Sequence, residues 1–212
     1  MAALNLLAKL GWSTSRSVET LPDGDEAAAL EYYTSGLNSI SRGLYAQAVD
    51  ELRDALRLNS DFPEAHNQIG HIYLSLGNTS KAIKSFQAAI RIQHDHAAAH
   101  NGLGMAYDSS GNFIEAIKTY MRVLRINANC VETRNNLGMC YYNIGSYAEA
   151  TKAFNQALQI ENKNAQAHYG LGLVYIDLPR KDLALEEYEQ LIQIERKDLA
   201  DSLWERIERI CE

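Results

Sequence analysis

Residues that staple, kink or anchor a chain are scarce here: three cysteines, three prolines and two tryptophans among 212 residues. Cys130, Cys140 and Cys211 are odd in number and show no CxxC spacing. That argues against a disulfide framework and for free thiols in a reducing compartment. No apolar run approaches the roughly eighteen residues of a membrane span. The opening MAALNLLAKLGW has no basic stretch ahead of its apolar residues, so it reads as retained rather than as a signal peptide. A dense cationic surface is missing as well. Residues 1–62 hold nine acids and five bases, 63–164 seven acids and nine bases, and 165–212 eleven acids and six bases. A mildly basic middle between acidic ends gives little support to general nucleic-acid binding. What the chain does have is a 46% apolar content rich in alanine and leucine, which favours helix and can build a core.

The apolar residues recur. Gly36, Gly70, Gly104, Gly138 and Gly172 stand thirty-four residues apart, as do Ala48, Ala82, Ala116, Ala150 and Ala184. Leu58, Ile92, Ile126, Ile160 and Ile194 keep the same step, so five copies fit residues 29–198 without insertion or deletion. Copies begin at Ala29, Pro63, Ala97, Val131 and Ala165. In the third, His100, Leu103, Gly104 and Tyr107 fall at positions 4, 7, 8 and 11, one face of a helix. Ala116, Tyr120, Val123 and Leu124, at 20, 24, 27 and 28, mark the inward face of a second. Gly77, Gly111 and Gly145 at position 15 end the first helix, and Pro63 suits a first turn.

This pattern resembles the tetratricopeptide repeat family. Copy two carries it as Ile69, Gly70, Tyr73, Ala82, Phe86 and Ala89, and copy four as Leu137, Gly138, Tyr141, Ala150, Phe154 and Ala157. Copy one departs with Ser35 and Ser39 where Leu and Tyr are expected, and copy five has Pro179 at its turn. The resemblance implies an all-α, right-handed superhelical solenoid of five helix-turn-helix repeats (29–62, 63–96, 97–130, 131–164 and 165–198). First helices would line its concave side. Residues 199–212 read as an amphipathic capping helix, with Leu199, Leu203, Ile207 and Ile210 on one face. Residues 1–25 read as an amphipathic segment, with Leu4, Leu6, Leu7 and Leu10 on one face, followed by a linker. Three roles stay open for that segment: a cap on copy one, docking into a partner or a neighbouring molecule, and contact with a membrane surface.

Position 5 holds Asn67, Asn101 and Asn135 in the central copies and Tyr33 and Tyr169 at the ends; position 9 holds Leu37, His71, Met105, Met139 and Leu173. Asp108 and Tyr142 stand at position 12. These residues form the candidate groove for an extended or helical segment of another protein, with a carboxamide ladder and adaptable methionines. The other reading is that they touch neighbouring helices or lie under the chain's own N-terminal segment. Relatives that grip acidic chaperone tails carry Lys or Arg at positions 5 and 6. Here those positions hold Asn, Gln68, Gly102, Asn136 and Gly170, and Glu64, Glu132, Asp108 and Asp177 add negative charge. A neutral or basic ligand is expected. On the second helices Lys84, Arg91, Lys118, Arg122, Arg125 and Lys152 form a convex basic stripe, either an ordinary solvated face or a site for an acidic partner or anionic headgroups.

Gly102 and Gly104 suggest a phosphate loop, but no strand precedes them and no third glycine completes GxGxxG. His94, His96 and His100 suggest a metal, but His66, His100 and His168 share a packing position. No nucleophile signature or HExxH is present. The expectation is a non-catalytic, cytoplasmic scaffold or assembly factor without cofactor or metal, at most peripheral to a membrane. Self-association through the N-terminal segment is the alternative.

Overall fold

The computed structural model describes residues 24–209, which form eleven helices and no strand. The expectations for Leu4, Leu6, Leu7 and Leu10, and for Ile210 and Cys211, lie outside the described residues. Two units divide the chain at Asp61 and Phe62. The first contains α1 (Gly24–Ser41) and α2 (Tyr45–Leu58). Its core is Ala29, Leu30, Ala48, Val49, Leu52 and Ala55. Ser35 and Ser39 have a local explanation. Their hydroxyls donate to Glu51 at 2.9 and 2.6 Å, and the Gln47 amide joins them at 2.9 Å. A polar clasp thus stands where other copies pack apolar rings, and the Ser39 hydrogen bond leads in holding the Glu51 carboxyl below its usual range.

The second unit runs as α3 (Pro63–Ser75), α4 (Thr79–Ile92), α5 (Ala97–Ser109), α6 (Phe113–Ile126), α7 (Val131–Asn143), α8 (Tyr147–Ile160), α9 (Ala165–Asp177), α10 (Lys181–Gln193) and α11 (Lys197–Arg209). The hairpins of copies two to four turn through a glycine in the left-handed region, Gly77, Gly111 and Gly145 at φ +72°, +73° and +76°, where side chains are disfavoured. The next residue's N–H then reaches back into the first helix, as from Asn78 to the Tyr73 carbonyl at 2.8 Å. Two of the first helices start on side-chain acceptors: His96 Nδ1 takes the Ala99 N–H at 3.1 Å and Asn164 Oδ1 takes that of Ala167 at 3.0 Å.

Packing follows small residues against large ones. A Cβ on Gly104 would meet Tyr120 Cε1 at 2.5 Å, and one on Gly138 would meet Phe154 Cε1 at 2.6 Å. Phe86 and Phe154 also press on Gly102 and Gly170 of the following copy. Both glycines of the apparent phosphate loop therefore serve ring packing. Each fully covered aromatic or aliphatic side chain contributes about 1.5–3 kcal/mol. Part of that cover comes from the neighbouring hairpin, as the rings on Gly102 and Gly170 show, which is why the hairpins stack. First helices of successive copies touch one another (α3 with α5, α5 with α7, α7 with α9), whereas the second helices have no comparable contact. Within this unit the stack therefore curves with its first helices on the inner side.

The final helix does more than shield the stack from water. Leu203 lies against Gly172, where earlier copies place their own second-helix aromatic, and Leu203 and Ile207 are fully buried. The corresponding ring of copy five, Tyr188, is only half-buried and leans on Trp204 at 5.1 Å. α11 thus takes the place of the first helix of a sixth copy.

Candidate functional site

Positions 5, 9 and 12 of the first helices point to the inner side, but they do not present equal surface. The carboxamide ladder is largely consumed by the fold. Asn67 and Asn135 are each only 6% exposed. Asn135 Nδ2 donates to Asn164 Oδ1 at 2.8 Å, on the residue that caps the first helix of the next copy. Asn101 is used at both ends: it accepts from Thr133 Oγ1 at 3.1 Å and donates to Glu132 at 3.4 Å. Tyr169 follows the same rule, its hydroxyl 3.1 Å from Ser202 of α11. At Asn101, Asn135 and Tyr169 position 5 therefore bonds along the stack, whereas Asn67 is buried and its Oδ1 makes no hydrogen bond among the described residues. This corrects the expectation of a ligand-facing ladder: Asn101 and Asn135 reach along the stack, and Asn67 is covered.

Two further expectations are corrected. Leu173 is 3% exposed, covered in a cluster with Leu191, Leu203 and Ile207, because the last helix packs over it. Tyr33 is 1% exposed and offers no free face to a ligand. Leu37 is half-buried in the first unit.

What remains at the inner side of the second unit is a line of half-buried groups: His71 and Leu74, Met105 and Asp108, Met139 and Tyr142, then Ile176. His71 packs edge-on against Phe86, ring centres 5.0 Å apart, and burial holds its imidazole below the ordinary range. Tyr142 leans on Tyr147, whose hydroxyl donates to Asp177 at 3.1 Å. Asp108 is the most exceptional member. It is half-buried between apolar neighbours, and the Cys140 thiol donates to it at 3.5 Å. Burial raises its carboxyl above the usual range, with the thiol acting weakly the other way. The first helices of this unit carry Glu64, Asp108, Glu132 and Asp177, and Arg134 is their sole lysine or arginine. The inner wall is acidic.

Arg134 is occupied elsewhere. Its guanidinium donates to the Ala128 carbonyl and to Gln156 Oε1, both at 2.6 Å. His100 and His168 hold the equivalent position 4 and reach the equivalent carbonyls, His94 at 2.8 Å and Asn162 at 3.2 Å. Position 4 is thus a polar staple between copies, a role the sequence alone assigned only to packing. Among the described residues no three His, Cys, Asp or Glu side chains gather to hold a metal. The stripe residues Lys84, Arg91, Lys118, Arg122, Arg125 and Lys152 are all exposed on the second helices. Lys118 pairs with Glu115 at 2.6 Å, and Arg122 stands 3.9 Å from Asp95. No helix among the described residues is long and apolar enough to cross a membrane.

Known proteins share this architecture. Family models described as tetratricopeptide repeat match residues 61–129 and 165–198, and one described as TPR repeat matches 36–77 and 140–178. No curated protein matches the chain. Among solved structures, MamA (residues 41 to the end) from Desulfovibrio magneticus RS-1 is 19% identical with a TM-score of 0.75, covering 80% of this chain and 96% of that one. YrrB, described as a TPR protein with an unusual peptide-binding site, is 24% identical with a TM-score of 0.69, covering 84% and 92%. A thermophilic TPR protein of Thermus thermophilus is 21% identical with a TM-score of 0.67, covering 85% and 99%. At these identities the likeness concerns the fold. With the repeat matched along most of the chain and hairpins stacked in register, this protein belongs to the tetratricopeptide repeat family, a family of protein-interaction scaffolds.

Proposed function

We propose that the protein is a non-catalytic scaffold or assembly factor that holds a neutral or basic segment of a partner along the inner side of residues 62–209. The observation that carries this reading is the order of position 12: an apolar Leu74, the carboxylate Asp108, then Tyr142, one copy apart. Packed helices lie about 8–10 Å apart, and an extended chain advances about 3.3 Å per residue. Every third residue of such a ligand then meets a new copy. The matching pattern is apolar-x-x-Lys/Arg-x-x-apolar, with the cation on Asp108. Among the described residues the Cys140 thiol alone donates to this half-buried carboxylate, so an incoming cation gains more than it would at an open surface. Met105 and Met139 supply adaptable contacts on either side. The peptide-binding site ascribed to YrrB, on the same fold, supports the reading.

The test uses two labelled peptides, Leu-Ser-Ser-Lys-Ser-Ser-Leu and the same peptide with Glu at the centre, read by fluorescence anisotropy. The native protein should prefer Lys, Asp108→Asn should level the pair, and Asp108→Lys should reverse it. An unchanged ranking in both variants, with helical content intact, overturns the assignment. The self-association alternative rests on residues 1–20 and is separated by deleting them and measuring mass in solution: loss of an oligomer favours it, an unchanged monomer counts against it. Location in the cytoplasm and contact with a membrane-bound complex remain part of this proposal.

A further inference from the structure

The outer side offers a second site with the opposite chemistry. Between copies two and three an open depression of about 390 Å³ lies where α4, α5 and α6 meet. Ile90, His100 and Leu103 form its floor, and Arg91, Lys118 and Arg122 stand around it. Comparison with the other copies explains the hole. In copy four Arg134 fills the equivalent wedge by reaching Gln156 of its own second helix. In copy five His168 does so by bonding Glu187 at 2.6 Å. In copy three His100 turns to the His94 carbonyl, and the facing residues of α6 are Thr119 and Arg122, neither a carboxylate nor a carboxamide. The wedge stays open and is ringed by cations.

The charge around it is lopsided. α4 and α6 together carry Lys81, Lys84, Arg91, Lys118, Arg122 and Arg125 against the single acid Glu115, in a chain whose net charge is −7. Glu115 pairs with Lys118, and the exposed Asp95 reaches Arg122 only at 3.9 Å. Among the described residues no carboxylate comes within ion-pair distance of Arg91. We infer that this depression is a docking site for an acidic segment of a partner protein, which seats one aliphatic side chain on Ile90 and Leu103 while flanking carboxylates meet Arg91, Lys118 and Arg122. Charge complementarity selects the segment, and the apolar floor selects a side chain among the acids. A flat layer of lipid headgroups would meet the cations but leave the floor empty. The site is independent of the inner groove, so the two readings fail separately.

The probe is a labelled peptide, Glu-Glu-Leu-Glu-Glu, compared with Glu-Glu-Ser-Glu-Glu and Gln-Gln-Leu-Gln-Gln by anisotropy. Only the first should bind well. Arg91→Glu with Arg122→Glu should weaken it about tenfold or more, each lost contact being charge-assisted. Thr119→Tyr separates a shaped site from a merely charged face. It plugs the wedge from the rim without changing charge, and should weaken binding. The inference is overturned if Thr119→Tyr binds as tightly as the native protein, or if the serine peptide binds as well as the leucine one. Capture by phosphatidylserine vesicles that is lost in the Arg91→Glu, Arg122→Glu protein, with no binding of the leucine peptide, would likewise overturn it.

Discussion

Replacing Gly138 by alanine should destabilise a helix that alanine otherwise favours. At an unhindered helical position the change would gain up to about 1 kcal/mol from propensity. Here the new Cβ meets Phe154 Cε1 at 2.6 Å and Cδ1 at 2.8 Å, against the roughly 3.5–4.0 Å of a comfortable carbon contact. The ring has little room to retreat, because the same Cε1 and Cζ also lie against Gly170 of the next copy and the whole side chain is buried. A contact this short belongs at the upper end, about 2–3 kcal/mol, of what overpacking costs, so a net loss of about 1–2 kcal/mol is expected after the propensity gain. Over an array of this size that lowers the midpoint by about 2–8 °C, measured by circular dichroism in a thermal melt. The decisive arm is a cycle with Phe154→Leu. Alone that change leaves a cavity, but with the smaller side chain in place the added methyl has room. The double variant should therefore lose less than the two singles combined. A Gly138→Ala protein as stable as the native one, or strictly additive losses, would refute the account of glycine and ring as partners.

Three further outcomes follow from the polar contacts. Asn101→Ala strips the Thr133 hydroxyl, which is fully buried, of an acceptor, and should cost about 1–2 kcal/mol in a urea titration without altering binding of the Lys-centred peptide. The His168 imidazole is held above its usual range, first by the Glu187 hydrogen bond and then, against burial, by the Asn162 carbonyl. The folded chain therefore holds that proton more tightly than the unfolded one. The contribution is complete below about pH 6.5 and fades as pH rises through the raised folded value, so melts of the native protein and Glu187→Gln should converge from acid toward alkaline pH. Tyr120 is fully buried, its hydroxyl makes no well-formed hydrogen bond, and burial pushes its phenol far up, with Asn136 acting only weakly the other way. Tyr120→Phe should consequently melt no lower than the native protein, and a clear drop would mean that the hydroxyl is satisfied after all.

The helices were legible because the thirty-four-residue step repeats small and large residues in phase, and those residues pack by size. Gly104 and Tyr120 announce each other from the sequence: a residue with no Cβ and a ring sixteen positions later are what a close crossing needs. The turn glycines Gly77, Gly111 and Gly145 were equally plain, since few other residues tolerate their backbone. The inner site was read only in part. A polar residue at position 5 gives the same letter whether it faces a ligand or the next copy, and periodicity cannot separate the two. Asn101, bonded forward to Thr133 and Glu132, shows the choice was made along the stack. Leu173 was misplaced for a related reason: its exposure depends on α11, and a column of identical positions does not record that the last copy is covered.

The same polar residues explain how a neutral-looking repeat acquires two faces. Side chains at positions 4 and 5 are drawn into contacts between copies, so Arg134 is removed from the groove and its charge is spent on a carbonyl. With that cation withdrawn, Glu64, Asp108, Glu132 and Asp177 set the sign of the inner wall, and Arg206 of α11 opposes them only near Tyr142. The exposed lysines and arginines of α4 and α6 set the sign of the outer side over copies two and three, and the acids of α10 reverse it in copy five. A scaffold with opposite charge on its two sides can hold a basic segment inside and an acidic one outside without either competing for the same surface. Local net charge is therefore a poor guide to what such a repeat binds. The deciding quantity is which charges the inter-copy staples leave free.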